Sequence, residues 1–166
     1  MAWFIQLYFK EAKLPLPLFG VMWTALNLTV GTVSIFAYKI ERFAGKKLTI
    51  MLILVFICSC YILMGKFISI PAISILFVFY IVRGVATPVL KDYINRLASS
   101  VNRATILSIR SFIIRMMFAL TGPFLGWHTD HYSLGSAFII AGLVFFTGGA
   151  IVLVPLFTNK NNHYYT

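Results

Sequence analysis

The chain has 166 residues, of which 60% are apolar or aromatic and 11% charged, with a mean hydropathy of +0.92 and a net charge of +10. A soluble domain is closer to half apolar and a quarter charged, so an aqueous globular fold is excluded and a multi-pass membrane protein is expected. The positive charge does not point to nucleic acid, because the basic residues sit in short polar stretches between apolar runs, where they set membrane orientation.

In chain order, Met1–Phe9 (MAWFIQLYF) is apolar but far too short to cross a bilayer, which takes about 20 helical residues. It reads as a helix stub followed by a polar break, Lys10–Pro15. No basic region precedes it and no small-residue cleavage site follows, so no signal peptide is expected. Leu16–Tyr38 is 23 residues without a charge and is the first span. Lys39–Lys47 (KIERFAGKK) is a short basic loop. The second span runs from Leu48 to Gly65, with Lys66 at its end. The third runs from Pro71, which starts or kinks it, to Leu90, and contains Arg83. Lys91–Arg103 is a polar hairpin in which Ser99 or Ser100 can cap the next helix. The fourth span is Ala104–Trp127, with a kink expected at Gly122-Pro123. After a loop at His128–Ser133, the fifth span is Leu134–Phe157, and a polar tail closes the chain from residue 158.

The expected fold is therefore all-α: a polytopic membrane bundle of five spanning helices over residues 16–157, preceded by a partial helix within residues 1–15. One side of the bundle would carry Lys39, Arg42, Lys46, Lys47, Lys91, Arg96, Arg103 and Lys160, and the other Lys10, Lys13 and Lys66. The excess of basic residues places the first side, and the C-terminus, in the cytoplasm. Trp127 and Tyr132 at one boundary and Tyr38 and Tyr93 at the other fit aromatic belts.

Three ionised groups lie inside apolar runs, and all are arginines: Arg83, Arg110 and Arg115. A charge at bilayer depth costs roughly 2.5–3.5 kcal/mol on insertion scales, so each needs a reason. Arg83 and Arg110 lie about 10 Å from the basic end, within reach of the headgroups by snorkelling. Arg115 lies ~18 Å in, near the middle of the hydrocarbon, and calls for a protein-lined cavity. Arg110 and Arg115 are five residues apart, about 140° around a helix, and cannot both face one cavity.

The ends of the first and fourth spans echo each other. FAYKIERF (Phe36–Phe43) and LGWHTDHY (Leu125–Tyr132) each place an acid four residues after a small residue: Ala37 with Glu41, and Gly126 with Asp130. One lies at each side of the membrane, as in an inverted-topology repeat. The first two spans would then match the last two. The counterpart of the third would be the stub, so that most of a helix would be missing at the start of the sequence. A carboxylate at such a helix mouth can pair with an arginine or a helix N-terminus of an opposing bundle in one conformation, which makes Glu41 and Asp130 candidate latches. Orientation charge is the simpler account of Arg42, Lys46 and Lys47.

Nothing catalytic stands out. There is no nucleophile beside a base and no glycine-rich phosphate loop, so neither an enzyme nor an ATP-driven pump is expected, and no cofactor. His128, Asp130 and His131 lack a further ligand nearby, so no metal is expected. Cys58 and Cys60 are too close for an ordinary disulfide and read as small packing residues. Gly135, Gly142, Gly148 and Gly149 read as small residues for close helix packing.

Two stretches resemble the major facilitator superfamily. Ala37-x-x-x-Glu41-Arg42-x-x-Gly45-Lys46-Lys47 is similar to its short cytoplasmic loop signature, with Glu for the commoner Asp, Ala37 for Gly and one extra residue before Gly45. RGVATPVLKDYINRLASSVNRATILSIRSF (Arg83–Phe112) followed by GPFLGWHTD (Gly122–Asp130) is similar to the tenth and eleventh helices of bacterial members. The resemblance implies half of a twelve-helix secondary transporter, from the end of the seventh helix through the twelfth, in a bacterial inner membrane. It implies alternating access for a small solute, with Arg115, Arg83 and Arg110 as candidates for the substrate pathway and Ala37, Glu41, Arg42, Gly45, Gly126 and Asp130 for a conformational latch. An anionic solute would suit the arginines. The implied partners are the lipid bilayer and an N-terminal helix bundle. No carboxylate lies within the spans, so a proton-coupling acid would belong to that other bundle. The alternative is a truncated or accessory small membrane protein without transport activity of its own.

Overall fold

A computed structural model describes residues 2–97 and 102–158. They form six helices: α1 (Ala2–Glu11), α2 (Leu18–Ala44), α3 (Lys46–Lys66), α4 (Ile73–Leu97), α5 (Arg103–His131) and α6 (Leu134–Thr158). The described chain is an all-α membrane bundle, and the last five helices are each long and apolar enough to cross a bilayer. The five expected spans are all present. Ser99, Ser100, Lys160 and the rest of the tail from 159 lie outside the described residues.

The helices run past their apolar stretches, and this shortens the expected loops. The basic loop at Lys39–Lys47 is in fact one residue, Gly45. Its neighbours are good helix formers with no breaker among them, so the charged turns continue out of the bilayer as helix. Gly45 sits at φ 79°, ψ 156°, and its N–H donates to the Glu41 carbonyl at 2.7 Å while its own carbonyl accepts from Thr49 at 3.0 Å. The same correction applies to the hairpin, whose first half is the last two turns of α4, and to His128–Ser133, where α5 continues to His131. α2 starts two residues later than expected, because Pro15 and Pro17 hold the preceding chain in a tight turn. The N-cap of α5 is Asn102, whose carbonyl accepts from Ile106 at 3.0 Å.

The stub is a finished helix end. Leu14 N–H bonds to Phe9 C=O and Lys13 N–H to Lys10 C=O, both at 3.0 Å, which is the Schellman pattern. Lys13 takes the left-handed position with φ 58°, where glycine is usual. Sequence patterning misses this cap because lysine does not announce it. α1 is tied to the bundle by the Tyr8 hydroxyl, which donates to the Phe67 carbonyl at 2.7 Å just beyond α3.

α2 lies along α4 and α3 along α6, α3 also packs on α4, and α5 leans on α6 and touches α4. The largest core cluster gathers at the Tyr8 end, with Tyr8, Leu26, Met64, Leu76 and Leu134 fully buried. Tyr61 joins three helices there, edge-on to Phe79 at 5.5 Å and stacked on Phe145 at 5.5 Å. Close approach of α3 and α6 rests on glycine. A Cβ on Gly65 would lie 2.6 Å from the Gly135 carbonyl oxygen, and one on Gly135 2.5 Å from that of Gly65. Gly142 and Gly149 continue the contact at seven-residue intervals, against Tyr61 and Leu54, whereas Gly148 faces no neighbour. Gly84 serves the α2–α4 crossing, where a Cβ would lie 3.1 Å from the Val30 carbonyl oxygen.

Threonine hydroxyls of α2 are satisfied within their own helix, as a bilayer favours. Thr24, Thr29 and Thr32 of α2 donate to the carbonyls of Gly20, Ala25 and Leu28 at 2.8–3.0 Å.

Candidate functional site

Two regions hold the residues singled out by sequence: the mid-depth arginines, and the Gly45 end of the bundle.

α5 is the only one of the five long helices with no residue buried in its most apolar window. Phe112, Ile113, Ile114, Met116, Met117 and Phe118 are all exposed. In water such a surface would drive association, whereas in a bilayer it is lipid-facing or covered by another bundle. Arg115 is exposed on this helix and Arg110 is half-buried. Among the described residues no ion pair, hydrogen bond or ring contact engages either one. Their separation around the helix holds. Arg115 shares its side with Ser108 and Gly122, seven residues before and after it, and with Ser111, four before. Ile113 and Leu120 lie on the far side. A polar stripe centred on Arg115 thus runs along α5, and its serines were missed in the sequence, although their spacing from Arg115 was there to find. The Ser111 hydroxyl is returned to the Leu107 carbonyl at 2.9 Å.

Arg83 belongs to α4 and lies farther from the helix end than expected, because α4 continues to Leu97. Its guanidinium stands 5.4 Å over the Tyr80 ring, and such a cation–π contact offsets about 0.5–2 kcal/mol of its desolvation. Arg83 therefore has a partner within the bundle, and Arg115 has none among the described residues.

At the Gly45 end, Ala37 is buried against Val85 and Val89 of α4, which explains a small residue there. One turn on, the Glu41 carboxyl faces the Tyr93 hydroxyl of α4, which is shielded from solvent without closing a hydrogen bond to it. Asp92 and Arg96 form an exposed ion pair at 2.6 Å across one helical turn. Tyr38, Glu41, Arg42, Gly45, Lys46, Lys47 and Arg96 line an open cleft of about 720 Å³. Arg96 is not legible at this cleft from polarity, which marks Lys91–Arg103 as a loop; the four-residue spacing of Asp92 and Arg96 is the signal of helix there.

The echoed pair lies in a different setting. Gly126 has no neighbour within 4 Å of a Cβ, and Asp130 is exposed. His128 joins α5 to α6 through Ser136 at 2.9 Å, while Ser133 caps α6 by accepting from the Ser136 N–H at 3.1 Å. Ala37–Glu41 is thus packed against α4, while Gly126–Asp130 faces outward. No three His, Cys, Asp or Glu side chains among the described residues are grouped to hold a metal.

No protein-family profile, curated protein or solved structure matches the chain.

Proposed function

We propose that this chain forms one half-bundle of a secondary transporter resembling the major facilitator superfamily, which moves a small, anionic solute by alternating access. The observation that carries the proposal is α5: a helix long enough to span, without a buried residue in its apolar window, whose Arg115 has no partner among the described residues and lies in line with Ser108 and Ser111. An arginine there is too costly against lipid and calls for water, a substrate or a carboxylate from an opposing bundle. In this proposal α5 lines the pathway, Arg115 neutralises the solute, and Glu41 and Asp130 latch the two bundles in opposite states. The membrane is a bacterial inner membrane, with the Gly45 end and the C-terminus in the cytoplasm, as the basic residues favour.

The test is substrate uptake by the complete transporter in vesicles. Arg115→Gln is expected to abolish uptake while leaving membrane insertion at the wild-type level. Unchanged uptake would overturn the role of Arg115.

A further inference from the structure

We propose that the cleft at the Gly45 turn is a binding site for the phosphate of an anionic phospholipid. This goes beyond the transport proposal and requires only that α2 and α3 cross a membrane.

Three observations converge. The first is charge: Arg42 from α2, Lys46 and Lys47 from α3 and Arg96 from α4 line one cleft of about 720 Å³. Arg96 is already paired with Asp92, and Glu41 adds one negative charge to the wall. Arg42, Lys46 and Lys47 form no ion pair among the described residues.

The second is the helix they sit on. Gly45 offers α3 no side-chain cap, its first turn holds no acid, and two lysines occupy that turn instead. Amides in a first turn have no acceptor within their helix, and positive side chains there oppose the helix dipole. This is a poor arrangement for α3 alone. A phosphate accepts from the amides and the ammonium groups together and reverses the penalty.

The third sets lipid apart from free phosphate. Phe43, beside the cleft, is 96% exposed, and Tyr38 on its rim is 61% exposed. A fully exposed phenylalanine next to a basic cleft belongs where headgroups meet acyl chains, and the aromatic rim sits as a membrane belt does. A soluble phosphate would gain nothing from either ring.

The test is native mass spectrometry of the full chain in detergent, titrated with phosphatidylglycerol, phosphatidylcholine and glycerol phosphate. Phosphatidylglycerol should bind as one tight adduct, at least about tenfold tighter than phosphatidylcholine. Combined Arg42→Gln, Lys46→Gln and Lys47→Gln should remove that adduct. Combined Lys10→Gln, Lys13→Gln and Lys66→Gln, which changes net charge equally at the opposite end, should keep it. Because Gln at 46 and 47 relieves the dipole conflict, Lys46→Gln with Lys47→Gln should fold without lipid and lose the rise in Tm that phosphatidylglycerol gives the wild type. Equal binding of both lipids, equal losses in the two triple variants, or displacement of the lipid by glycerol phosphate at equal concentration would each overturn the proposal.

Discussion

Two residues carry backbone conformations that decide where helices end, and they predict opposite effects. Gly45, at φ 79° and ψ 156°, lies in a region open essentially to glycine, and a Cβ there would touch nothing within 4 Å. The cost of Gly45→Ala is then purely conformational, and thermal unfolding in detergent should show a loss of about 1–3 kcal/mol. Lys13 occupies the left-handed position of a Schellman cap with a side chain that disfavours it. Lys13→Gly should raise stability by about 1 kcal/mol in the same measurement. Gly45 is visible in the sequence as a glycine between helix formers. Lys13 is not, because only tertiary placement of α1, through Tyr8 and Phe67, makes its conformation worth holding.

Helices were easier to find than their ends. Apolar runs of about 20 residues mark the spans, since bilayer thickness fixes their length. Charge marks where a span leaves the hydrocarbon and not where its helix stops, because helix formers such as those of Lys39–Ala44 stay helical in water. The small residues of α6 were legible as packing residues, but which of them meets α3 was not, because helix phase depends on the crossing. Gly135, Gly142 and Gly149 face α3 and Gly148 does not. Gly135→Ala should therefore cost about 1–3 kcal/mol through overpacking against the Gly65 backbone, while Gly148→Ala, which meets no neighbour and removes a helix-interior glycine, should not lower the melting temperature. Equal effects at the two positions would mean that α3 and α6 do not cross as described.

At the scale of the whole molecule, the bundle is unevenly closed. The Tyr8 end is sealed by α1 and a large aromatic cluster, whereas α5 rests on α6 with its apolar and polar faces both open. The arginines were legible in the sequence as costly charges, and their separation followed from helix geometry alone. Their environments were not, since only the packed structure gives Arg83 the Tyr80 ring and leaves Arg115 among Ser108 and Ser111. Whether that stripe faces water or lipid is the point on which the proposed function turns. Labelling by a membrane-impermeant thiol reagent, in native membranes, of cysteines placed one at a time at Ser108, Ser111, Arg115 and Ile113 tests it, with Cys58 and Cys60 silent because they are buried. A water-filled pathway predicts rapid labelling at 108, 111 and 115 and none at 113. Protection of all four positions, or equal labelling of all four, would contradict it.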